Sequence, residues 1–193
     1  MKPIFTSILF SALIFVSTPA HANDDATHKN QIEKAENLIK SFQISLKSEL
    51  MKAIEEGGPE KAISVCNEKA PLIASGLSET DEISIGRTAL GFRNPKNAPD
   101  DLENAILHDF IKQKKDGISV EKMVSYKEED GLFRYMKAIP MQPMCAMCHG
   151  EKVDRDLYAK IKTLYPDDTA INYKLDDIRG AFTVKISTVG KIK

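Results

Sequence analysis

Tryptophan is absent from the chain, cysteine occurs only three times, aromatic residues make up 7%, and 27 lysines and arginines stand against 28 acids. The near balance of charge excludes the basic footprint that nucleic-acid binding requires. The densest basic cluster, Lys112, Lys114 and Lys115, falls at the end of an expected helix, where cations complement the helix dipole and sit in water. Beyond the first residues no apolar run approaches the roughly 20 residues of a membrane span, so none is expected in the mature chain. Internal repeats and low-complexity segments are lacking too. Three cysteines are an odd number, so pairing within the chain leaves at least one thiol to another purpose.

The one long apolar run stands at the start. Lys2, the stretch from Ile4 to Val16 and then Ala20-His21-Ala22 have the layout of a secretory signal peptide. Residues 1–22 are therefore read as a leader and 23–193 as a mature, exported and periplasmic chain of near-neutral charge. That length suits one domain with its own core.

From Lys29 to Glu56 the residues Ile32, Ala35, Ile39, Phe42, Leu46, Leu50 and Ala53 recur at spacings of three and four, one stripe of a long helix. Gly57-Gly58-Pro59 ends it. At about 1.5 Å per residue this helix outgrows a small domain, so its stripe either packs along its own domain or meets a second copy of the chain as a homodimer. A second helix is predicted from Glu60 to Ala70, stopped by Pro71. A third is announced by Asp100 with Glu103 three residues on, a capping-box spacing ahead of Leu102, Ile106 and Phe110. A fourth spans Val153 to Leu164.

Strands are predicted at Ile83-Ser84-Ile85, at Val124-Ser125-Tyr126 and from Leu132 to Ile139, with Glu129-Asp130-Gly131 as a hairpin turn. Phe182, Val184 and Ile186 alternate with Ala181, Thr183 and Lys185, the pattern of a half-buried strand. The expected class is α+β, an antiparallel sheet with a long N-terminal helix and flanking helices.

Cys145-Ala146-Met147-Cys148-His149 carries the attachment pattern for c-type haem: two thiols add to the vinyl groups and the adjacent histidine ligates the iron. A bare Cys-x-x-Cys also serves as a dithiol redox pair or as half of a zinc site. Here no second cysteine pair completes a zinc site, the histidine follows directly, and export puts the chain where bacteria attach haem c. One covalent haem c is therefore expected, on Cys145 and Cys148, with His149 as an iron ligand.

The opposite face of the iron decides between electron transfer and gas binding or catalysis. His21 leaves with the leader, His28 lies in a polar terminal stretch, and His108 shares a polar helical face with Asn104, Lys112 and Lys115. No methionine follows Met147, and Met141, Met144 and Met147 sit too near the attachment point to cross to the other face; apolar contact with the macrocycle suits them better. Cys66 remains, on the inward face of its helix with Ala62, Ile63 and Ala70. It is either an iron ligand or an inert buried thiol.

The segments Ala62 to Pro71, Ile85-Gly86-Arg87-Thr88 through Arg93-Asn94-Pro95, Pro143 to Gly150 and Ile178 to Phe182 resemble the PAS-like c-type haem family, exported proteins and bacterial sensor domains. The resemblance covers most of the mature chain. It implies a PAS-like fold, the motif histidine as one axial ligand and Cys66 as the other, and Arg87, Arg93 and Arg179 as partners of the haem propionates. Asn172 to Asp177 is less glycine-rich than the resemblance implies. The function expected is redox sensing or single-electron transfer to a partner protein, at the low potential that thiolate ligation favours. The rivals are a sensor of nitric oxide or carbon monoxide, and a peroxidase-like enzyme that would need His108 as its acid-base group.

Overall fold

The computed structural model describes residues 21–78 and 82–189. Most of the expected leader, residues 1–20, lies outside them. Helix α1 (His21–Ser64) is broken at Gly57 and Gly58, whose backbone angles leave the helical region, so the regular part ends where the glycine pair predicts. Its stripe is put to use within the chain: Ala35, Ile39 and Phe42 pack on the sheet, while Leu46 and Leu50 extend toward the cavity described below. No helix among the described residues is long and apolar enough to cross a membrane.

The second helix departs from the prediction. Beyond the break the chain passes through a π-helical turn, Val65–Lys69, and continues as α2 (Ala70–Leu77) with Pro71 in its first turn. Pro71 therefore does not stop the helix. A wider turn, in which the Ala70 N–H reaches Val65 O, relieves the clash and the lost donor that a proline imposes on a regular α-helix.

Four antiparallel strands form one sheet in the order β1-β4-β3-β2: β1 (Ile83–Thr88), β2 (Val124–Glu129), β3 (Leu132–Pro140) and β4 (Ile178–Ser187). The β2–β3 hairpin turns at Asp130 and Gly131, both at positive φ (52° and 74°), the type I′ geometry that matches strand twist. One face of the sheet meets α1: Phe133, Tyr135, Phe182, Val184 and Ile186 bury against Ile39 and Phe42. The other face meets α3 (Asp101–Lys115), where Ile106, Leu107 and Phe110 pack on Met136, Ala138 and Ala181. Strand β4 is thus buried on both faces rather than half-buried, because α3 covers the second one; Thr183 there donates to Glu103 at 3.0 Å. Fully burying side chains such as Phe42 or Phe133 contributes roughly 1.5–3 kcal/mol each.

Helix α3 starts as predicted. Asp100 accepts from the Glu103 N–H at 2.9 Å and Glu103 accepts from the Asp100 N–H at 3.3 Å. A short helix, α4 (Pro143–His149), carries the cysteine motif, and α5 (Arg155–Leu164) follows, its first turn capped by Asp154. The α+β class with its long N-terminal helix and antiparallel sheet agrees with the sequence.

Candidate functional site

Helix α4 has seven residues and begins at Pro143, whose fixed φ and missing donor cost nothing in a first turn. Three residues apart on one helix face, Cys145 and Cys148 open onto a cavity of about 1140 Å³, its mouth included, that His149 also lines. The cavity is bounded on the α1 side by Leu50, Ile54, Ala62, Ile63 and Cys66, and on the sheet side by Arg87, Ile139, Arg179 and Phe182. All three cysteines are free and half-buried. Folding therefore brings Cys66 from the π-helical turn to the same space as the motif. Ala62 lines that space, whereas Ala70 is buried elsewhere in the core.

The imidazole of His149 is held by one strong contact, its Nδ1 lying 2.7 Å from the carbonyl oxygen of Ala170. A carbonyl only accepts, so Nδ1 carries the proton and Nε2 keeps its lone pair for a metal. Burial first, then the nearby Arg179 and Arg93, push the imidazole well below its ordinary value, against the opposing effect of the Ala170 hydrogen bond. The ring is neutral at neutral pH, the state that binds metal. Burial likewise pushes the Cys148 thiol up, with Arg93 opposing and Cys66 and Cys145 adding to the rise. Tyr165 is pushed up to about 12 by burial and then by Cys66, and stays a phenol.

Three cations meet here. Arg93, buried, donates to the Cys148 carbonyl at 2.7 Å and to Asp168 at 3.2 Å. Arg179 donates to the Gly91 carbonyl at 3.2 Å and lies over the Tyr173 ring at 5.3 Å. Arg87 lies over the Phe42 ring at 5.4 Å, and no carboxylate of the described residues pairs with it. Burial depresses the values of both Arg87 and Arg179. Two further polar atoms of the cavity wall, Thr88 Oγ1 and Arg93 Nε, are buried with no hydrogen-bond partner among the described residues.

These orphans test whether the residues suit a covalently held haem. Such a group needs two thiols, a neutral imidazole with a free nitrogen, an apolar slot and cations for two carboxylates. The cavity supplies each, with positive charge and donors in excess of what the protein itself neutralises. The residues fit. A zinc site does not: among the described residues no three His, Cys, Asp or Glu side chains group closely enough to hold a bare ion.

Other expected residues fall elsewhere. Met144 and Met147 line the cavity, but Met141 does not: it is 1% exposed, in the core, its N–H bonded to Asp177 O at 2.8 Å. Its place just after β3 ties its backbone to the 176–177 turn, where its carbonyl also accepts from the Asp176 N–H at 3.0 Å. His108 lies on the exposed face of α3, bonded to its own helix at Asn104 O, and takes no part in the site. His28 is bonded to Glu128 at 2.8 Å, far along the sheet. Asn172 and Asp176 take positive φ (66° and 65°), so asparagine and aspartate fill left-handed positions where glycine was expected. Thr88, Asp168 and Ala170 were not foreseen. Only Asp168, in the turn-like Pro166-Asp167-Asp168-Thr169, carried any signal, and that signal reads as a loop.

The fold and the site together define an α+β protein that presents a dithiol, an imidazole and a third thiol around one apolar, cation-rimmed cavity. The chain belongs to the Tll0287-like family, which it matches over residues 20–187. No curated protein sequence matches it. Among solved structures it is similar to the crystal structure of the cyanobacterial heme-protein Tll0287, with a TM-score of 0.59 and 23% identity over 91% of this chain and 100% of that one. At that identity the likeness shows the fold.

Proposed function

We propose that this protein is a haem-binding protein of the c type: one haem, bound through Cys145 and Cys148, ligated by His149 and Cys66, in a periplasmic carrier or sensor of single electrons with a PAS-like fold. The observation that carries this reading is the convergence of those four residues on one apolar cavity, with His149 turned so that Nε2 is free. Membership of the Tll0287-like family and the likeness to a heme-protein support it. Arg87, Arg93 and Arg179, with the unpartnered Thr88 hydroxyl, would hold the two propionates. A bound haem would supply one-electron chemistry at its iron; Leu50, Ile54 and Phe182 would exclude water from it, and burial keeps the His149 imidazole neutral. A carrier or sensor accords better with this site than an enzyme, since His108 stands outside it.

The test is to express the chain with haem-attachment machinery in an exporting host. Covalent haem in the denatured, washed protein, lost in the Cys145→Ala/Cys148→Ala double variant, is the result expected. Haem that washes out of the unaltered protein on denaturation would end the c-type assignment, and absence of haem would end the reading altogether.

A further inference from the structure

The backbone carbonyl that orients His149 is itself placed by a buried acid. Asp168 is wholly enclosed, with 0% of its side chain exposed, and both of its oxygens are used. Oδ1 accepts the Ala170 N–H at 2.9 Å, and Oδ2 accepts Arg93 at 3.2 Å. From Ala170 the thread runs on through its carbonyl to His149 Nδ1 at 2.7 Å. From Arg93 it runs to the Cys148 carbonyl at 2.7 Å. One carboxylate thus ends two threads that reach adjacent residues of the motif, and the Arg93 charge that it offsets is among those acting on the His149 ring.

Physical consequences follow for both threads. A neutral imidazole in water carries its proton mostly on Nε2, so the Nδ1–H form must be selected by a fixed acceptor, and here the acceptor is fixed by Asp168. An acceptor bonded to Nδ1–H also raises the basicity of Nε2, the ligating nitrogen. Charge acts in the same sense: a buried anion beside a buried cation cancels a field that would favour the reduced, less positive iron.

We infer that Asp168 is the positioning residue of the His149 imidazole, selecting its tautomer and ring plane through Ala170 and holding the reduction potential down through Arg93. This rests on the haem reading above.

Three proteins test it: the unaltered chain, Asp168→Asn and Asp168→Ala, each prepared with haem and, from a host without attachment machinery, without it. The Asn side chain keeps an acceptor for the Ala170 N–H but loses the charge; Ala loses both. Nitrogen NMR of the apoprotein reads the His149 tautomer, and the Nδ1–H form is expected in the unaltered chain and in Asp168→Asn, with a mixture in Asp168→Ala. In the holoproteins the midpoint potential rises in both variants, while the ferric electron paramagnetic resonance g-values change only in Asp168→Ala.

An unchanged potential in Asp168→Asn overturns the inference, as does an Asp168→Ala protein with the original tautomer and g-values. Should Asp168→Ala not fold, the Asp168→Asn potential and the tautomer of the unaltered chain decide, an Nε2–H ring in the latter being fatal. Attached haem with unresponsive Asp168 variants sinks this inference alone, whereas an unaltered chain that takes no haem sinks the functional reading with it.

Discussion

Arg93 donates to the carbonyl oxygen of Cys148 at 2.7 Å, so a side chain from the loop after β1 grips the backbone of the second motif thiol. The same guanidinium pairs with Asp168, and both side chains are nearly sealed, at 8% and 0% exposure. Removing one member of a buried pair strands the other charge, which costs roughly 3–5 kcal/mol. Arg93→Ala is expected to lose stability on that scale in urea denaturation of the apoprotein. A loss below about 1 kcal/mol, the range of a surface pair, would show that Arg93 contributes no more than an exposed one.

Arg87 makes the opposite forecast. It faces the cavity beside Phe42, and no carboxylate among the described residues meets it; burial already depresses its value. An uncompensated cation in such a place opposes folding. Arg87→Met is therefore expected to leave the apoprotein at least as stable as before, while the holoprotein gains less stability from haem than the unaltered one. Thermal melts of both forms decide; an apoprotein that melts several degrees lower would contradict this.

Cys66→Ala is expected to change the ferric absorption and electron paramagnetic resonance spectra while leaving haem covalently attached, because Cys145 and Cys148 are untouched. An identical ferric spectrum would reduce Cys66 to a packing residue. If the reduced, unaltered protein also takes up carbon monoxide readily, the open-iron reading of a gas sensor replaces the carrier.

His149 gives the apoprotein a definite pH dependence. Its folded value lies well below the ordinary 6.5 because of burial and then Arg179 and Arg93. The folded state thus prefers the neutral ring, and the unfolded chain takes up the proton first. Stability from this source is complete above about pH 6.5 and falls as the pH drops through the folded value. Melting temperatures of the apoprotein between pH 7.5 and about pH 5 should decline, and His149→Gln should flatten that decline. Parallel curves for the two proteins would place the titration elsewhere.

The parts of this molecule that announce themselves are those in which neighbouring residues suffice. The Asp100–Glu103 cap, the Asp130-Gly131 turn and the Gly57-Gly58 break depend on local geometry, and each stands where the sequence puts it. Cys66, Cys145, Cys148, His149 and the three arginines, which the sequence singles out by residue type and motif, all line one cavity. What depends on distant partners was not legible. The helix runs through Pro71 because a π-helical turn absorbs the proline, and no local rule inserts one. Strand β4 reads as half-buried until α3 is laid over its second face. Asp168 acts through the backbone of Ala170, and a backbone acceptor leaves no mark on residue type.

The clasp on α4 also bears on the order of assembly. A helix of seven residues is too short to persist alone in water. Its holding contacts come from Arg93, 55 residues before Cys148, and from Ala170, 21 residues after His149. Contacts across such separations form late, since the loops they close must first be drawn together. Until those contacts form, the two thiols therefore belong to an unstructured stretch of chain, open from any side. Only afterwards does the cavity close around them, so the haem attachment proposed above would be a step that precedes the native state.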